Sequence, residues 1–584
     1  MFAKLIRTYW AIILIILLAI FFRFLWLDKI PNALGGDEIV YILNSKALFL
    51  TGSDIFGNWS PLQGLLFQYP QGETQAELPY LLNSIAMGIL PSGLFAAHIT
   101  NAVLGILLVI FVYLITRELL GSKAAVFAAL IASINPWFVY IGRTAYEATP
   151  SMLFYFISFY ILLKAKGWKI LWAFPFLVFA FYSYIATKLI LLPFVFAIIV
   201  FCYFYINKKK YLKQYLALFA LCIVFVAFFV VSLKLNPQTA RLDELLTPNN
   251  PEIANEVNTI RKESIQNSLT NLLVNKYSVF TSIVAIKTLK TFSFDFLFVN
   301  GDEFFSIWRH GLFYYIDSLF LILGLLFMFV KKRKVLGLLS VLILIGAIPQ
   351  VLHTVKIENF SIHATMAFAP LTILIGFGIW ETINYFTSVS LSTSKKLNVK
   401  YISAFIILVL YFVSALNFAN IYFFWHPLRG YFDFPIRVVS SYAVRALDSQ
   451  KITIYSTSSF DLFKKYLFYS NKYDKTSAQT IKNNLKTQKY SLGNVTFKAC
   501  NLPIDLKNKD NLLIIDAKCG NQFKDLPHIS VSSLKDGGET FRIYNDKLCK
   551  GVGLDRFIFN YKLEYFNIEL LSKKDFCHNF ITSL

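Results

Sequence analysis

The sequence contains no Walker-type phosphate loop, no dinucleotide fingerprint and no clear metal-ligand spacing. Asp302-Glu303 has the look of a nucleotide-sugar motif, but the residues around it do not continue one. Long internal repeats and low-complexity tracts are missing too. Acidic residues are the minority charge, 34 Asp+Glu against 56 Lys+Arg. Cysteine is scarce, with six in 584 residues. Cys202 and Cys222 lie inside apolar runs and read as core residues. Cys500, Cys519, Cys549 and Cys577 fall in the polar C-terminal region, and their pairing is open.

What fills the chain instead is apolar: 56% of residues are hydrophobic and 17% aromatic, where soluble domains average about 45–50% apolar. Apolar runs of about 18 residues or more, enough to cross a hydrocarbon core of roughly 30 Å, recur along the first 425 positions. The first, Tyr9 to Leu27, is too long for a signal-peptide core, has no small-residue cleavage site and is followed by further spans. The net charge of +22 does not indicate nucleic acid, because the cations sit in short clusters between apolar runs. The clusters are Lys4/Arg7, Lys164/Lys166/Lys169, Lys208–Lys210 with Lys213, Lys331–Lys334 and Lys395/Lys396/Lys400. The alternate loops carry isolated cations such as Arg143, Lys188 and Lys356. That alternation is the positive-inside pattern.

Hydropathy and charge together predict about eleven spans, near 9–27, 94–118, 122–141, 145–164, 169–184, 187–206, 212–232, 311–330, 334–352, 364–386 and 401–424. An odd number starting inside ends outside, where disulfides persist. The predicted fold class is a mostly α polytopic membrane protein with a small C-terminal α/β domain. Residues 1–425 form the membrane module, with long outer loops near 28–93 and 233–310, and residues 426–584 form the extracytoplasmic domain. Two segments of the first outer loop, Glu38–Leu50 and Leu78–Leu90, have helical apolar spacing and are expected to lie along the membrane surface. Strands are predicted at Ile452–Tyr455, Val495–Lys498, Leu512–Ile515, Ile529–Val531 and Thr540–Tyr544, and a helix at Asp461–Tyr469.

Four constellations carry candidate chemistry. Gly35-Gly36-Asp37-Glu38 places two acids just past the first span. A carboxylate there can act as general base toward a hydroxyl, though acids also suit a helix N-terminus. Arg143-Thr144-Ala145-Tyr146-Glu147 occupies a short turn between two spans, where ionisable residues are either functional or snorkelling. Tyr182-Ser183-Tyr184-Ile185-Ala186-Thr187-Lys188 is a second such turn, and Lys188 suits a phosphate as a point charge. Asp295–Phe298, Gly301-Asp302 and Arg309-His310-Gly311 mark a loop returning to the membrane. Its aromatics suit the interface, and the Arg309 guanidinium suits phosphate.

Taken together, these segments resemble the GT-C type glycosyltransferases, in particular the family 39 group of protein O-mannosyltransferases and aminoarabinose transferases. The resemblance runs through Arg23-Phe24, Pro31, Asp37-Glu38, Thr51-Gly52, Asp54, Gly57 and Pro61. It resumes at Pro136-Trp137, Arg143, Glu147, Tyr184 and Pro193, and again at Asp295–Phe298, Gly301-Asp302 and Gly311-Leu312-Phe313-Tyr314. It implies an inverting transfer from a polyprenyl-phosphate sugar on the outer face of the plasma membrane. Asp37 and Glu38 match the catalytic acidic position. Arg143, Glu147, Tyr184, Lys188, Arg309 and His310 are the implied substrate-binding set, with Lys188 standing where relatives usually carry Arg. The stretch containing His353 and His363 receives no role. No cofactor is implied, and divalent-metal dependence is open. The implied partners are the polyprenyl-phosphate sugar, the bilayer, and a protein, lipid or glycan acceptor; nucleic acid is not among them. The competing reading is a transporter or flippase of lipid-linked sugars. That class places ionisable groups near the bilayer midplane, whereas the charges here sit at span ends. A non-catalytic surface protein leaves Asp37, Arg143 and Lys188 unexplained.

Overall fold

In the computed structural model the apolar runs are helices, beginning with α1 (Phe2–Phe24). The structure describes residues 2–57, 75–206, 208–235, 245–265, 267–354, 358–389, 393–429, 433–447, 450–503, 510–520, 524–554 and 561–583. Pro61 of the first-loop pattern and Lys356 lie outside them. Six helices are long and apolar enough to cross a membrane: Leu94–Leu120, Ala186–Tyr205, Lys209–Ser232, Arg333–Val351, Ser361–Ser388 and Val399–Arg429. Shorter apolar helices accompany them, among them Ser122–Ile134 and Ala148–Lys164. The chain is a multi-pass membrane protein. Ser361–Ser388 is the central helix, 94% buried over its apolar window, while Val399–Arg429 is only 17% buried and turns its apolar face to lipid.

The predicted span 122–141 is broken, and proline explains the break. Pro136 has no N–H to donate to Ala132, four residues back, so the helix ends at Ile134 and restarts at Pro136. Asn135 caps the restart, its side chain accepting from Phe138 N at 3.1 Å. Arg23 of α1 supplies the missing donors. Its guanidinium gives hydrogen bonds to the carbonyls of Ala132 (3.2 Å), Ser133 (3.1 Å) and Phe138 (3.3 Å). The two terminal nitrogens of a buried cation thus hold the two broken helix ends together.

The C-terminal region forms one seven-stranded sheet in the order β2-β3-β1-β4-β6-β5-β7. The strands are β1 (Lys451–Ser456), β2 (Ser491–Leu492), β3 (Val495–Ala499), β4 (Asn511–Asp516), β5 (Ile529–Ser532), β6 (Glu539–Tyr544) and β7 (Ile581–Ser583). β1 runs parallel to both β3 and β4, and the remaining pairs are antiparallel. All five strands legible in the sequence are present, with the helix Ser459–Tyr469 after β1. The two short edge strands β2 and β7 lack a readable period. Disulfides join Cys500 to Cys519 and Cys549 to Cys577. Reducing the second, which closes a 28-residue separation, is expected to cost about 2–4 kcal/mol of domain stability. Thermal melts of the chain with and without Cys549→Ser/Cys577→Ser check this.

The first loop departs from expectation. Its helix α2 (Gly36–Thr51) buries one face in the protein. Ile39, Val40, Ile42, Leu43 and Ala47 share one buried core with Leu462, Phe463, Tyr466 and Leu467 of the sheet domain. The loop's other helix, Leu78–Ile89, packs alongside α2. Polar ties lock the arrangement: Leu34 N donates to Tyr469 Oη at 2.8 Å, Arg437 to the Asn32 carbonyl at 2.7 Å, and Asn32 to the Pro427 carbonyl at 2.7 Å. The apolar spacing seen in the sequence gives helices, and the apolar face of α2 packs on the C-terminal domain. The second long loop also folds, into helices Pro251–Glu263, Ser268–Leu273 and Lys276–Thr291, around Ile253, Val257, Val279 and Ile283.

Candidate active site

α2 begins at Gly36, so its first turn carries Asp37 and Glu38. The two acids part ways there. Asp37 is exposed. Glu38 is fully buried, and its carboxylate turns back to accept from Gly35 N (2.8 Å) and across to accept from Ala145 N (2.6 Å), with His98 Nε2 at 3.5 Å. This is the geometry of a helix-capping glutamate at N3. Glu38, expected beside Asp37 in the catalytic position, thus clamps the α2 terminus to the turn at 142–147. Gly35 is required at the clamp, since a Cβ there would stand 2.4 Å from Tyr146 Oη.

Tyr146 is the hub of the site. Burial pushes its hydroxyl well above the ordinary range, and the negative charges of Glu38, Asp37 and Glu147 push the same way. Tyr41, on α2, feels the charges of Glu147 and Asp37, and its hydroxyl accepts from Ala76 N at 3.2 Å. Beside Ala76, Glu77 accepts two hydrogen bonds from Lys188, at 3.1 and 3.2 Å. Burial raises the Glu77 carboxyl above the carboxylate range, against the opposing pull of Lys188. Lys188 also lies over the rings of Phe181, Tyr182 and Phe229. Tyr41, through Ala76, and Lys188, through Glu77, thus meet at neighbouring residues of one segment.

On its other side Tyr146 stacks edge-on against Phe305 (5.3 Å), which meets Phe360, which meets His363. Tyr184 Oη lies 2.5 Å from His363 Nδ1, and His353 lies 4.5 Å from His363 ring to ring. The sequence reading gave His353 and His363 no role, because the family the chain resembles tends to carry an arginine in this stretch. Asp302, dismissed as a motif, staples this wall. It accepts from Phe304 N (2.8 Å), Phe305 N (2.5 Å) and Ser361 N (2.8 Å), while burial lifts its carboxyl above the ordinary range.

Three further expected ligands are Arg143, His310 and Arg309. Arg143 is fully buried and donates to the carbonyls of Phe22 (2.8 Å), Leu25 (2.8 Å) and Ile30 (2.7 Å) and to Tyr422 Oη (3.2 Å). It secures the exit of α1, and its donors are committed to main chain. His310 is buried, its Nδ1 bonded to the Gly311 carbonyl at 2.7 Å. Gly311 is needed in that turn because a Cβ would meet the Phe298 backbone at 2.3 Å. Arg309 is exposed and lies over Trp308 at 4.8 Å. The expectation that Arg143, Lys188 and Arg309 ring one phosphate is not met by these contacts. Among the described residues no group of three or more His, Cys, Asp or Glu side chains could hold a metal ion.

Residues 76–233 match the family model described as dolichyl-phosphate-mannose-protein mannosyltransferase. Among solved structures, ArnT from Cupriavidus metallidurans bound to undecaprenyl phosphate superposes with a TM-score of 0.50 at 12% identity, covering 92% of this chain and 98% of that one. The chain has the GT-C fold. The archaeal oligosaccharyltransferase AglB from Archaeoglobus fulgidus, solved with an inhibitory peptide and a dolichol-phosphate, is similar at 13% identity with a TM-score of 0.48, covering 97% of this chain and 78% of that one. No curated protein matches the chain significantly. The family match takes in Glu77, Arg143, Glu147, Tyr184 and Lys188. Asp37 and Glu38 precede it, so the acid rests on the geometry of the GT-C chain itself.

Breaking the Glu77–Lys188 pair separates two roles for the lysine. Lys188→Met leaves a buried carboxylate alone, whereas Glu77→Gln/Lys188→Met removes both charges. If the lysine is structural only, the double variant regains activity along with stability. A phosphate ligand predicts that the double variant regains its melting temperature but remains deficient in donor binding, and that Lys188→Arg is tolerated.

Proposed function

We propose that the chain is an inverting glycosyltransferase that moves a sugar from a polyprenyl-phosphate donor to a hydroxyl acceptor on the outer face of the plasma membrane. The observation that carries this reading is the exposed Asp37, held at the first turn of α2 by a buried clamp beside a bundle of membrane helices. Asp37 accepts the acceptor's proton. The acceptor oxygen then bonds to the anomeric carbon as the bond from that carbon to phosphate oxygen breaks. Phosphate leaves with its own negative charge, so it needs a cation rather than an acid. Glycoside hydrolysis, by contrast, requires a second carboxylic acid to protonate the leaving oxygen.

Lys188, with Tyr184 four residues before it, is our assignment for the leaving phosphate, and Glu77 is its counter-ion when the donor is absent. Glu147, next to Tyr146 in the turn that Glu38 clamps, fits sugar hydroxyls. The GT-C fold, a family model named for a lipid-phosphate sugar, and a neighbour solved with undecaprenyl phosphate support the donor class. The sugar is a hexose or pentose, and the acceptor is a protein, lipid or glycan hydroxyl. About eleven crossings, a membrane module of 1–425 and an extracytoplasmic domain of 426–584 complete the reading. No specific observation favours a transporter.

The test is incubation of membranes containing the chain with labelled polyprenyl-phosphate sugars. Label must appear in an acceptor, and label remaining wholly in the carrier refutes transfer. Topology is checked separately: a tag after Leu584 should be accessible from outside intact cells and one at Lys332 protected.

A further inference from the structure

The transfer reading leaves one cationic cluster unused. Trp308, in the loop after Asp302, stacks on Trp425 with ring centres 6.0 Å apart and planes inclined by 30°. Two guanidinium groups from different segments converge on this pair. Arg309 lies over Trp308 at 4.8 Å. Arg429 lies over Trp308 at 5.0 Å and over Trp425 at 5.9 Å. The pair is tied inward by Trp308 N donating to His426 Nδ1 at 3.1 Å. Arg309 holds a left-handed backbone, φ 52°, which a non-glycine residue keeps only where its surroundings impose it.

The cluster lies at a fixed depth. Trp425 and Arg429 end the span Val399–Arg429, whose flank is apolar and exposed. Phe424 and Trp425 are 55% and 49% exposed on that flank. This is where indole rings settle at the boundary between acyl chains and headgroups. Both guanidinium groups are also exposed there, and among the described residues no carboxylate pairs with either. Two like charges share one indole at the edge of a low-dielectric phase, where their repulsion is poorly screened. A dianionic or monoanionic oxygen ligand between them removes that repulsion, and the planar guanidinium fork matches phosphate oxygens.

We propose that Arg309 and Arg429, seated on the Trp308–Trp425 pair, bind the phosphate of a membrane-embedded lipid at a site separate from the one around Asp37. The phosphate sits between the two forks and the lipid's chains lie along the exposed flank of Val399–Arg429. The site depends on the chain spanning a membrane and not on glycosyl transfer.

Native mass spectrometry of the purified full chain, given phosphatidylglycerol, phosphatidylcholine or undecaprenyl phosphate in turn, tests the site. Arg309→Gln/Arg429→Gln should retain phosphatidylglycerol, undecaprenyl phosphate, or both about tenfold less than the parent, the scale of losing charge-assisted hydrogen bonds. Arg309→Lys/Arg429→Lys should lose less. A loss confined to phosphatidylglycerol identifies a bulk anionic lipid as the occupant, and one confined to undecaprenyl phosphate identifies the carrier; either supports the site. Arg429→Gln alone, at an exposed helix end, should show a partial loss if the double variant does not fold. Undiminished retention of both anionic lipids in the Gln variants overturns the proposal and leaves the four residues as a plain interfacial belt. Asp37→Asn should retain lipid like the parent, so failure of the transfer reading and failure of this site are distinguishable.

Discussion

Asp37→Asn is expected to reduce glycosyl transfer by on the order of 10²-fold or more, the scale of a lost general base, while leaving the melting temperature nearly unchanged. The substitution keeps the volume and a hydrogen-bonding oxygen, and it removes the acceptor for the proton. Because Asp37 is exposed at the first turn of α2, the fold has little to lose from it. Initial rates with a labelled polyprenyl-phosphate sugar, beside a thermal melt, decide the matter. Full activity in a folded variant removes Asp37 from the mechanism. Glu38→Gln is the contrast. Its carboxylate accepts from two backbone N–H groups inside the protein, so its loss should lower stability first and activity through it.

Arg143→Ala is expected to destabilise the chain by about 3 kcal/mol or more, because three buried carbonyls lose their donors at roughly 1–3 kcal/mol each. Those carbonyls belong to Phe22, Leu25 and Ile30, where α1 ends and the chain turns toward α2. The variant should show reduced yield of folded protein and a lower melting temperature. A variant with an unchanged melt that has lost donor binding alone would restore Arg143 to the phosphate site. Arg143→Lys should recover little, since one ammonium cannot reach carbonyls on three sides as the planar fork does.

Local rules reached far in this chain. Apolar run length marked the helices of the membrane module, because a segment in hydrocarbon must satisfy its backbone internally. Alternation marked five strands, from Lys451–Ser456 to Glu539–Tyr544. The hydropathy reading ran straight across Pro136, where the helix breaks and Asn135 and Arg23 bridge the gap. The pairing Cys500–Cys519 and Cys549–Cys577 was not legible, since four cysteines allow several pairings and spacing chooses none of them.

The acids and cations divide along the same line. That Asp37, Glu38, Arg143, Lys188 and Arg309 matter was visible from ionisable residues at span ends. Which one faces a substrate was not. Glu38 and Arg143 are taken inward by unsatisfied backbone groups at Gly35, Ala145 and the end of α1, and Lys188 by Glu77, 111 residues away in sequence. Arg309 meets Arg429 only because the loop at 308 folds onto the last span. Composition and periodicity by themselves determined a multi-pass helical protein with a C-terminal sheet, because hydrophobic burial depends on residue type and spacing alone. Tertiary structure decided which charges stay exposed and which are committed to backbone or counter-charge. A polar side chain's role depends on which backbone groups and counter-charges lie within about 3 Å of it, and those come from segments far apart in the chain.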